Sequence, residues 1–474
     1  MKIPVVVIAG LIVFAACGEE AVPTQVPTPT HTATPLESAA PQPTPTATPV
    51  PTPTSTPTFT PPKAILPTPV PAKPTATPTT LEQLSRKLSA IALTTSSVRG
   101  LSFDSPINRE FIDHEQARLH INQDFEKERE EIEAQEALYE TLGAIPDVDL
   151  FDLLLGVYGE IILGFYDPED EKIFVVKQDP DFGALDELTF SHELVHGLQQ
   201  QEFDIHSIRE SVRGNTDKSL AISALLEGDA TVGETLYLIQ HMDEQQAEEA
   251  QQTQNSASLD SYRAAPPLLQ RTIAFPYEIG PGFVAALYQQ GGGWGAVNQA
   301  YSRLPESTEH ILHPGKYLEG EAPIAVPLPD LVEGLGAEWE MLWTTTLGEF
   351  FIFAYLERWA EPATAAAAAG GWGGDSYVLL RGPDDGHVLV WVLEWDTPED
   401  AREFFDTYRD ATEVRTDCRW EPDGEGDSDW LMRIDDQTLF AGLDYSRTTL
   451  IFAPGDDVLE TARASLAAVP VPSP

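Results

Sequence analysis

His192-Glu193-Leu194-Val195-His196 is the most informative stretch of this 474-residue chain. In a helix, residues four positions apart project from the same face, so the two imidazoles are able to grip one metal ion together. Glu193 lies one residue off that face, where a general base for a metal-activated water belongs. The pentapeptide therefore predicts a helix that carries part of a zinc hydrolase site.

The residues around the pentapeptide favour a buried helix over a chance occurrence of the motif. Residues 186–191 offer acidic and hydroxyl side chains, which suit a helix start, and residues 197–200 continue without a proline. An apolar side is supplied by Leu188, Leu194, Val195 and Leu198.

A zinc site of this kind needs a third protein ligand and one open coordination position. In the metzincin pattern a glycine and a further histidine would follow, but those two positions hold Gln199 and Glu202, which excludes this pattern. His206, ten residues after His196, is an option, with an ordinary loop histidine as the alternative.

Glu227 is the stronger candidate for the third ligand. It lies among apolar residues of segment 219–232, whose composition and periodicity indicate a largely buried helix. An ionised carboxylate in such surroundings has to be paired or bound to a metal, because leaving it alone is costly. The alternative is that Glu227 or Asp229 faces solvent on a polar edge of the helix.

Residues 192–204 (HELVHGLQQQEFD) and 224–231 (ALLEGDAT) together resemble the gluzincin arrangement of thermolysin-like metallopeptidases. From about Val98 into the C-terminal region, the chain is also similar to an uncharacterised family of prokaryotic, often lipid-anchored, predicted metallopeptidases. The resemblance implies a zincin-like catalytic domain with zinc as its cofactor. The implied roles are zinc ligation by His192, His196 and Glu227 and general base catalysis by Glu193.

The sequence departs from thermolysin at one position near the third ligand. Thermolysin carries an aspartate four residues after its ligand glutamate, and that place is Thr231 here. We expect Asp229 to orient a ligand histidine instead.

Two further segments are candidates for handling the substrate. Residues 164–176 read as strand, turn and strand, and the hairpin resembles the edge at which zincins bind a peptide by strand addition; a plain structural hairpin is the alternative. Residues 305–317 concentrate His310, His313 and Tyr317. We expect His313 or Tyr317 to donate to the oxyanion, with a packed structural loop as the alternative.

These roles predict hydrolysis of a protein or peptide substrate by a zinc-activated water, with Glu193 as the general base. The alternative is a non-catalytic surface lipoprotein that uses a zincin scaffold to bind a partner or a cell-wall component. The net charge of -48 argues against a nucleic-acid partner.

The N-terminal part of the chain predicts where this chemistry takes place. Residues 1–17 read as a lipoprotein signal peptide whose lipobox ends at Cys17, the expected site of lipidation. Residues 18–80 are rich in Pro and Thr, which is typical of a disordered stalk. We therefore expect an extracytoplasmic enzyme at the cell surface, tethered to the membrane by a lipid. If Cys17 carries lipid, Cys418 has no disulfide partner.

The remaining residues predict an α+β protein with two folded parts. Residues 81–362 are expected to form a mainly helical zincin-like domain with a small β-hairpin or sheet, including one long charged helix over 113–142. Residues 370–470 are expected to form a small α+β domain, for which a ferredoxin-like arrangement is one possibility.

Overall fold

The computed structural model describes residues 5–7, 81–167, 170–177, 182–424 and 426–467. The predicted lipidation site Cys17 and almost all of the predicted signal peptide and stalk lie outside these residues. Within the described ranges, no helix combines the length and the apolar character needed to cross a membrane. The described part is α+β, with one mixed sheet, one antiparallel sheet and many helices.

The helices and strands are numbered in chain order. The helices are α1 (Leu81–Arg99), α2 (His114–Lys127), α3 (Arg129–Thr141), α4 (Leu150–Ile161), α5 (Ala184–Phe203), α6 (Ile205–Ser211), α7 (Thr216–His241), α8 (Glu244–Asn255), α9 (Asp260–Ala264), α10 (Pro267–Glu278), α11 (Gly280–Leu287), α12 (Trp294–Ala300), α13 (Thr308–Leu312), α14 (Pro314–Glu319), α15 (Leu331–Leu335), α16 (Gly348–Leu356), α17 (Pro362–Ala369), α18 (Pro398–Thr416) and α19 (Asp456–Ala467). The strands are β1 (Val5–Val7), β2 (Asn108–Ile112), β3 (Gly164–Asp167), β4 (Lys172–Val176), β5 (Glu340–Thr345), β6 (Trp372–Arg381), β7 (His387–Trp395), β8 (Glu421–Pro422), β9 (Asp429–Ile434), β10 (Gln437–Asp444) and β11 (Arg447–Ala453).

Helix α5 is buried along most of its length between a small sheet and other helices. The sheet has the order β1-β3-β4-β2, and the predicted hairpin is confirmed as the antiparallel pair β3 and β4. The side chains of Leu188, Phe190 and Leu194 pack in one core cluster with Ile173 and Val175 of β4. The helix that carries the pentapeptide is therefore fixed against the hairpin.

Helix α7 crosses the same region and packs on α5 and α11. Gly228 allows its close approach to α11, because a Cβ atom at this position would overlap the backbone of Gly280. The predicted buried helix over 219–232 is confirmed as the middle of α7. Because Glu227 directly precedes Gly228 in α7, this close contact with α11 also fixes where Glu227 lies.

The predicted single helix over 113–142 is wrong, because Glu128 interrupts it. Glu128 has φ -117° and ψ 13° and separates α2 from α3. Its side chain is buried, as are those of Phe125 and Ile132 on either side of it. The break lets both halves turn apolar residues toward the core.

The C-terminal part contains a seven-stranded antiparallel sheet with the order β5-β6-β7-β11-β10-β9-β8. This arrangement differs from the βαββαβ order of a ferredoxin-like fold. Strand β5 precedes the predicted boundary at 362–370, yet it pairs with β6 beyond it. One core cluster also includes both Phe351 and Trp391, so the hydrophobic core is continuous across that boundary.

Candidate metal centre

The structure brings His192, His196 and Glu227 together in the protein interior. The Nε2 atoms of the two histidines each lie 3.3 Å from Oε2 of Glu227. One ligand atom from each residue falls within 4.8 Å of the other two, which makes the group able to hold one metal ion. The placement follows from the sequence, since α5 turns both imidazoles toward α7 and α7 presents Glu227 to them.

The charges of these three side chains are strongly coupled. Burial would lower the pKa of His192, but its hydrogen bonds with Glu227 and Glu234 outweigh burial and raise the pKa to about 10. Burial would raise the pKa of Glu227, but the two histidines lower it to about 2. In the absence of a metal, a proton on the imidazole of His192 therefore balances the carboxylate.

Glu193 lies beside this group and is fully buried. Neither of its carboxylate oxygens has a hydrogen-bond partner among the described residues. Burial raises its pKa well above the ordinary value; His192 opposes this shift, whereas the nearby carboxylates of Glu227 and Glu234 add to it. Strand β3 passes close by, because a Cβ atom on Gly164 would lie 3.2 Å from Oε1 of Glu193. A buried carboxyl group without a partner is costly, and such groups are common at functional sites.

Glu234 and Gln199 hold the outer nitrogens of the two histidines, and the sequence reasoning missed both. Nδ1 of His192 lies 3.0 Å from Oε2 of Glu234, and Nδ1 of His196 lies 2.9 Å from Oε1 of Gln199. Glu234 follows Glu227 by seven residues, which is two helical turns on the same face. Helical spacing counted from Glu227 could therefore have indicated it.

Asp229, expected to orient a ligand histidine, contacts Gln199 and not a histidine ring. Nε2 of Gln199 donates to Oδ2 of Asp229 over 3.2 Å. Asp229 also forms a buried ion pair with Arg99, with 2.6 Å between Nε of Arg99 and Oδ1 of Asp229. Its link to His196 is thus indirect.

Tyr158 and Arg209 lie within electrostatic reach of Glu227. Burial raises the pKa of Tyr158, and the negative charge of Glu227 raises it further. Burial lowers the pKa of Arg209, whereas Glu227 opposes this change. A hydroxyl group and a guanidinium group are both hydrogen-bond donors, and neither residue had been singled out from the sequence.

The predicted oxyanion donors His313 and Tyr317 are engaged elsewhere. Nε2 of His313 lies 2.9 Å from Oε1 of Glu349, and the hydroxyl of Tyr317 donates to the carbonyl of Arg303. The group around Glu349 lies at the start of α7, since Asp217 interacts with Glu349. Glu227 follows Asp217 by ten residues, about 15 Å along the helix axis.

The other histidines considered from the sequence are also outside the three-residue group. His310 contacts the carbonyl of Glu321 through Nε2. His206 lies on α6, where its backbone N–H donates to Gln200. The group able to hold a metal contains neither of them.

A second group of candidate ligands is acidic and surrounds a lysine; it consists of Glu309, Glu321 and Asp396. Nζ of Lys316 lies 2.6 Å, 2.8 Å and 2.7 Å from their respective carboxylate oxygens. The ammonium group supplies the positive charge that three converging carboxylates require. We therefore treat this group as a structural ion-pair cluster.

Comparison with known families gives a match in the C-terminal part of the chain. Residues 340–463 match a family described as a domain of unknown function (DUF8575), from β5 into α19. No curated protein matches the chain. The matched range does not include α5 and α7, the helices that carry the metal centre.

Proposed function

We propose that this chain is a zinc-dependent peptidase with His192, His196 and Glu227 as the metal ligands and Glu193 as the general base. One observation carries the proposal: two histidines and a glutamate converge within 4.8 Å, beside a buried carboxyl group that has no hydrogen-bond partner among the described residues. Two imidazoles and a carboxylate are a ligand set typical of catalytic zinc, because they leave a coordination position open.

The residues fit a zinc ion in three respects. Nε2 of His196 is buried and makes no hydrogen bond of good geometry, which is consistent with a lone pair reserved for a metal. Nδ1 of each histidine faces an acceptor oxygen, Glu234 for His192 and Gln199 for His196, so each ring presents Nε2 to the centre. A divalent cation would also replace the proton on His192 that balances the charge of Glu227. When bound, zinc would supply Lewis-acid activation of a water molecule and of the scissile carbonyl.

The chain's own residues have distinct parts in the proposed reaction. Glu193 accepts a proton from the attacking water and later delivers it to the leaving amine, a role open to a buried carboxyl group whose oxygens have no hydrogen-bond partner among the described residues. We assign the hydrogen bond to the oxyanion to Tyr158 or Arg209, because both are donors on which the charge of Glu227 acts.

The edge of the small sheet is the proposed place for the peptide substrate. Strand β3 approaches Glu193 at Gly164, and its outer edge pairs with β1 in antiparallel register, with Val6 opposite Phe165. This edge is thus able to take an added strand. Removal of residues 1–16 at the predicted processing site would leave it free for a substrate.

The proposed location is outside the cytoplasm, at the membrane surface. It rests on the Ala15-Ala16-Cys17 sequence and on the Pro- and Thr-rich residues that follow. A lipid at Cys17 would anchor the enzyme, and the stalk would hold it away from the bilayer.

Metal analysis combined with a cleavage assay tests the proposal. The purified full-length chain should contain one equivalent of zinc and cleave members of a mixed peptide library, and a chelator should abolish cleavage. His196→Ala should lose both zinc and cleavage, whereas His206→Ala, a histidine on the neighbouring helix, should keep both. Stoichiometric zinc without cleavage of any peptide would favour a non-catalytic binding protein.

A further inference from the structure

Arg99, the last residue of α1, is a buried arginine that reaches the helix of the third ligand. Its Nε and Nη2 atoms donate to the two carboxylate oxygens of Asp229 over 2.6 Å and 2.9 Å. Nη2 also donates to Asn298, and the guanidinium carbon lies 4.3 Å from the ring centroid of Trp294. Neither Arg99 nor Asp229 has an exposed side chain.

Asp229 accepts hydrogen bonds from several donors. Besides Arg99, the hydroxyl of Tyr301 donates to Oδ2 over 2.5 Å, and Nε2 of Gln199 donates to the same oxygen. These donors satisfy the carboxylate half of the buried ion pair, whereas Nη1 of Arg99 has no hydrogen-bond partner among the described residues.

The orientation of the Gln199 amide follows from this arrangement. Its Nε2 atom faces two acceptors, the carbonyl of Leu226 at 3.0 Å and the carboxylate of Asp229 at 3.2 Å. An amide rotated by 180° would place its oxygen against both acceptors, so only one orientation is compatible with them. In that orientation Oε1 faces Nδ1 of His196 at 2.9 Å.

The tautomer of His196 is fixed in turn. An amide oxygen only accepts hydrogen bonds, so Nδ1 of His196 has to carry a hydrogen, and the neutral ring then has its lone pair on Nε2. That is the atom directed toward Glu227. His192 is held differently, because its Nδ1 faces the carboxylate of Glu234 without an intermediate.

We propose that Arg99 is a positioning residue for the metal centre, acting through Asp229 and Gln199 to hold His196 as a ligand through Nε2. The inference rests on the proposed zinc function and deepens it. It also links the metal centre to α1, the helix that directly follows the predicted stalk. Partners of this kind affect metal affinity even though they never touch the metal.

Zinc affinity, measured by competition with a chelator of known affinity, tests the inference on the full-length chain. Gln199→Met removes the amide and keeps the side-chain length, and it should weaken zinc binding by about 10- to 100-fold. Gln200→Met is the matched control: its amide contacts Asp204 and the backbone of His206, and zinc affinity should not change.

A second pair of variants tests the relay from Arg99 through Asp229 and Gln199 to His196 at a residue that contacts Asp229 and not His196. Tyr301→Phe deletes the hydroxyl that donates to Asp229 and should weaken zinc binding, whereas Tyr237→Phe deletes a buried hydroxyl that donates to Glu187. Both changes remove one buried hydrogen bond, so a purely structural effect would be similar in the two. Only Tyr301→Phe should also alter the visible spectrum of the cobalt-substituted protein.

The possible outcomes separate the two proposals. Zinc affinity that is unchanged in both Gln199→Met and Tyr301→Phe would overturn the relay alone. A wild-type chain that takes up no zinc would overturn the proposed function, and the relay with it. If Gln199→Met does not fold, the comparison of Tyr301→Phe with Tyr237→Phe decides the question.

Discussion

Replacing Glu193 with glutamine should abolish catalysis at almost no cost in stability. The side chain is fully buried, its oxygens have no hydrogen-bond partner among the described residues, and burial raises its pKa well above the ordinary value. Glutamine has the same shape and removes a group that is costly to bury when ionised. We expect the free energy of unfolding to change by less than about 1 kcal/mol, because no hydrogen bond is broken.

Glu187 lies on the same helix but, unlike Glu193, its carboxylate has partners among the described residues. Its carboxylate lies 2.9 Å from Nζ of Lys87 and accepts a hydrogen bond from Tyr237. Glu187→Gln should therefore cost about 1 kcal/mol of stability, a value reduced by the partial exposure of Lys87, and it should leave cleavage intact.

The two variants are compared in urea unfolding, zinc content and peptide cleavage. Loss of a general base typically lowers the rate by about 10² to 10⁴, so Glu193→Gln should cleave at most about 1 % as fast as the wild type while retaining its zinc. Cleavage by Glu193→Gln within tenfold of the wild-type rate would refute the assignment of Glu193 as the base. A large loss of zinc would show that Glu193 supports metal binding and that the loss of cleavage is no evidence for proton transfer by Glu193.

Three further predictions concern stability. Chelation should lower the melting temperature by roughly 4 to 8 °C relative to protein with free zinc at 1,000 times its dissociation constant, since ligand binding then contributes about 4 kcal/mol; calorimetry with and without chelator measures this. In the metal-free protein, the pKa of Glu227 is lowered from 4.5 to about 2, so its stabilising contribution of about 3 kcal/mol is present above pH 4.5 and is lost as the pH falls toward 2. Urea unfolding at several pH values should show this loss in the wild type, and an equal loss in Glu227→Gln would contradict it. Gly228→Ala should destabilise the protein by about 1 to 3 kcal/mol because the added Cβ overlaps the backbone of Gly280, whereas Gly282→Ala, where nothing lies near the added atom, should be tolerated; thermal unfolding of the pair decides.

The elements around the site were predictable where the signal is local. The four-residue spacing of His192 and His196 and the apolar setting of Glu227 placed the three residues on buried helices, and β-branched and aromatic runs indicated the hairpin. Each of these patterns lies within one helix or hairpin, so the sequence displays it directly.

Other parts of the site depend on contacts between distant segments. Arg99 lies 130 residues before Asp229, and no periodicity connects them. His313 was attractive because histidines are dense in its segment, but its partner Glu349 belongs to a helix 36 residues away. A high local number of histidines is a property of the composition, whereas the contacts that a histidine makes depend on tertiary packing.

The fold of the C-terminal part shows the same limit. The two predicted parts met between residues 362 and 370, yet β5 lies before this boundary and pairs with β6 after it. The alanine-rich stretch at this predicted boundary forms α17, and Ala365, Ala368 and Ala369 are buried in the core. The small side chains of alanine allow α17 to pack closely in the core, which accounts for the alanine-rich composition of this stretch.

The lysine inside the second acidic group has a consequence for metal titrations. Glu309, Glu321 and Asp396 would resemble a cation site in any search based on carboxylates alone, but Nζ of Lys316 already lies within 2.8 Å of an oxygen from each. We therefore expect this acidic group to take up no zinc in a titration of the chain. Lys316→Met would leave the three carboxylates without a compensating charge, and we expect a second, weaker equivalent of zinc to bind there. Because Asp396 directly follows β7, this binding would report on the C-terminal sheet independently of the histidine site.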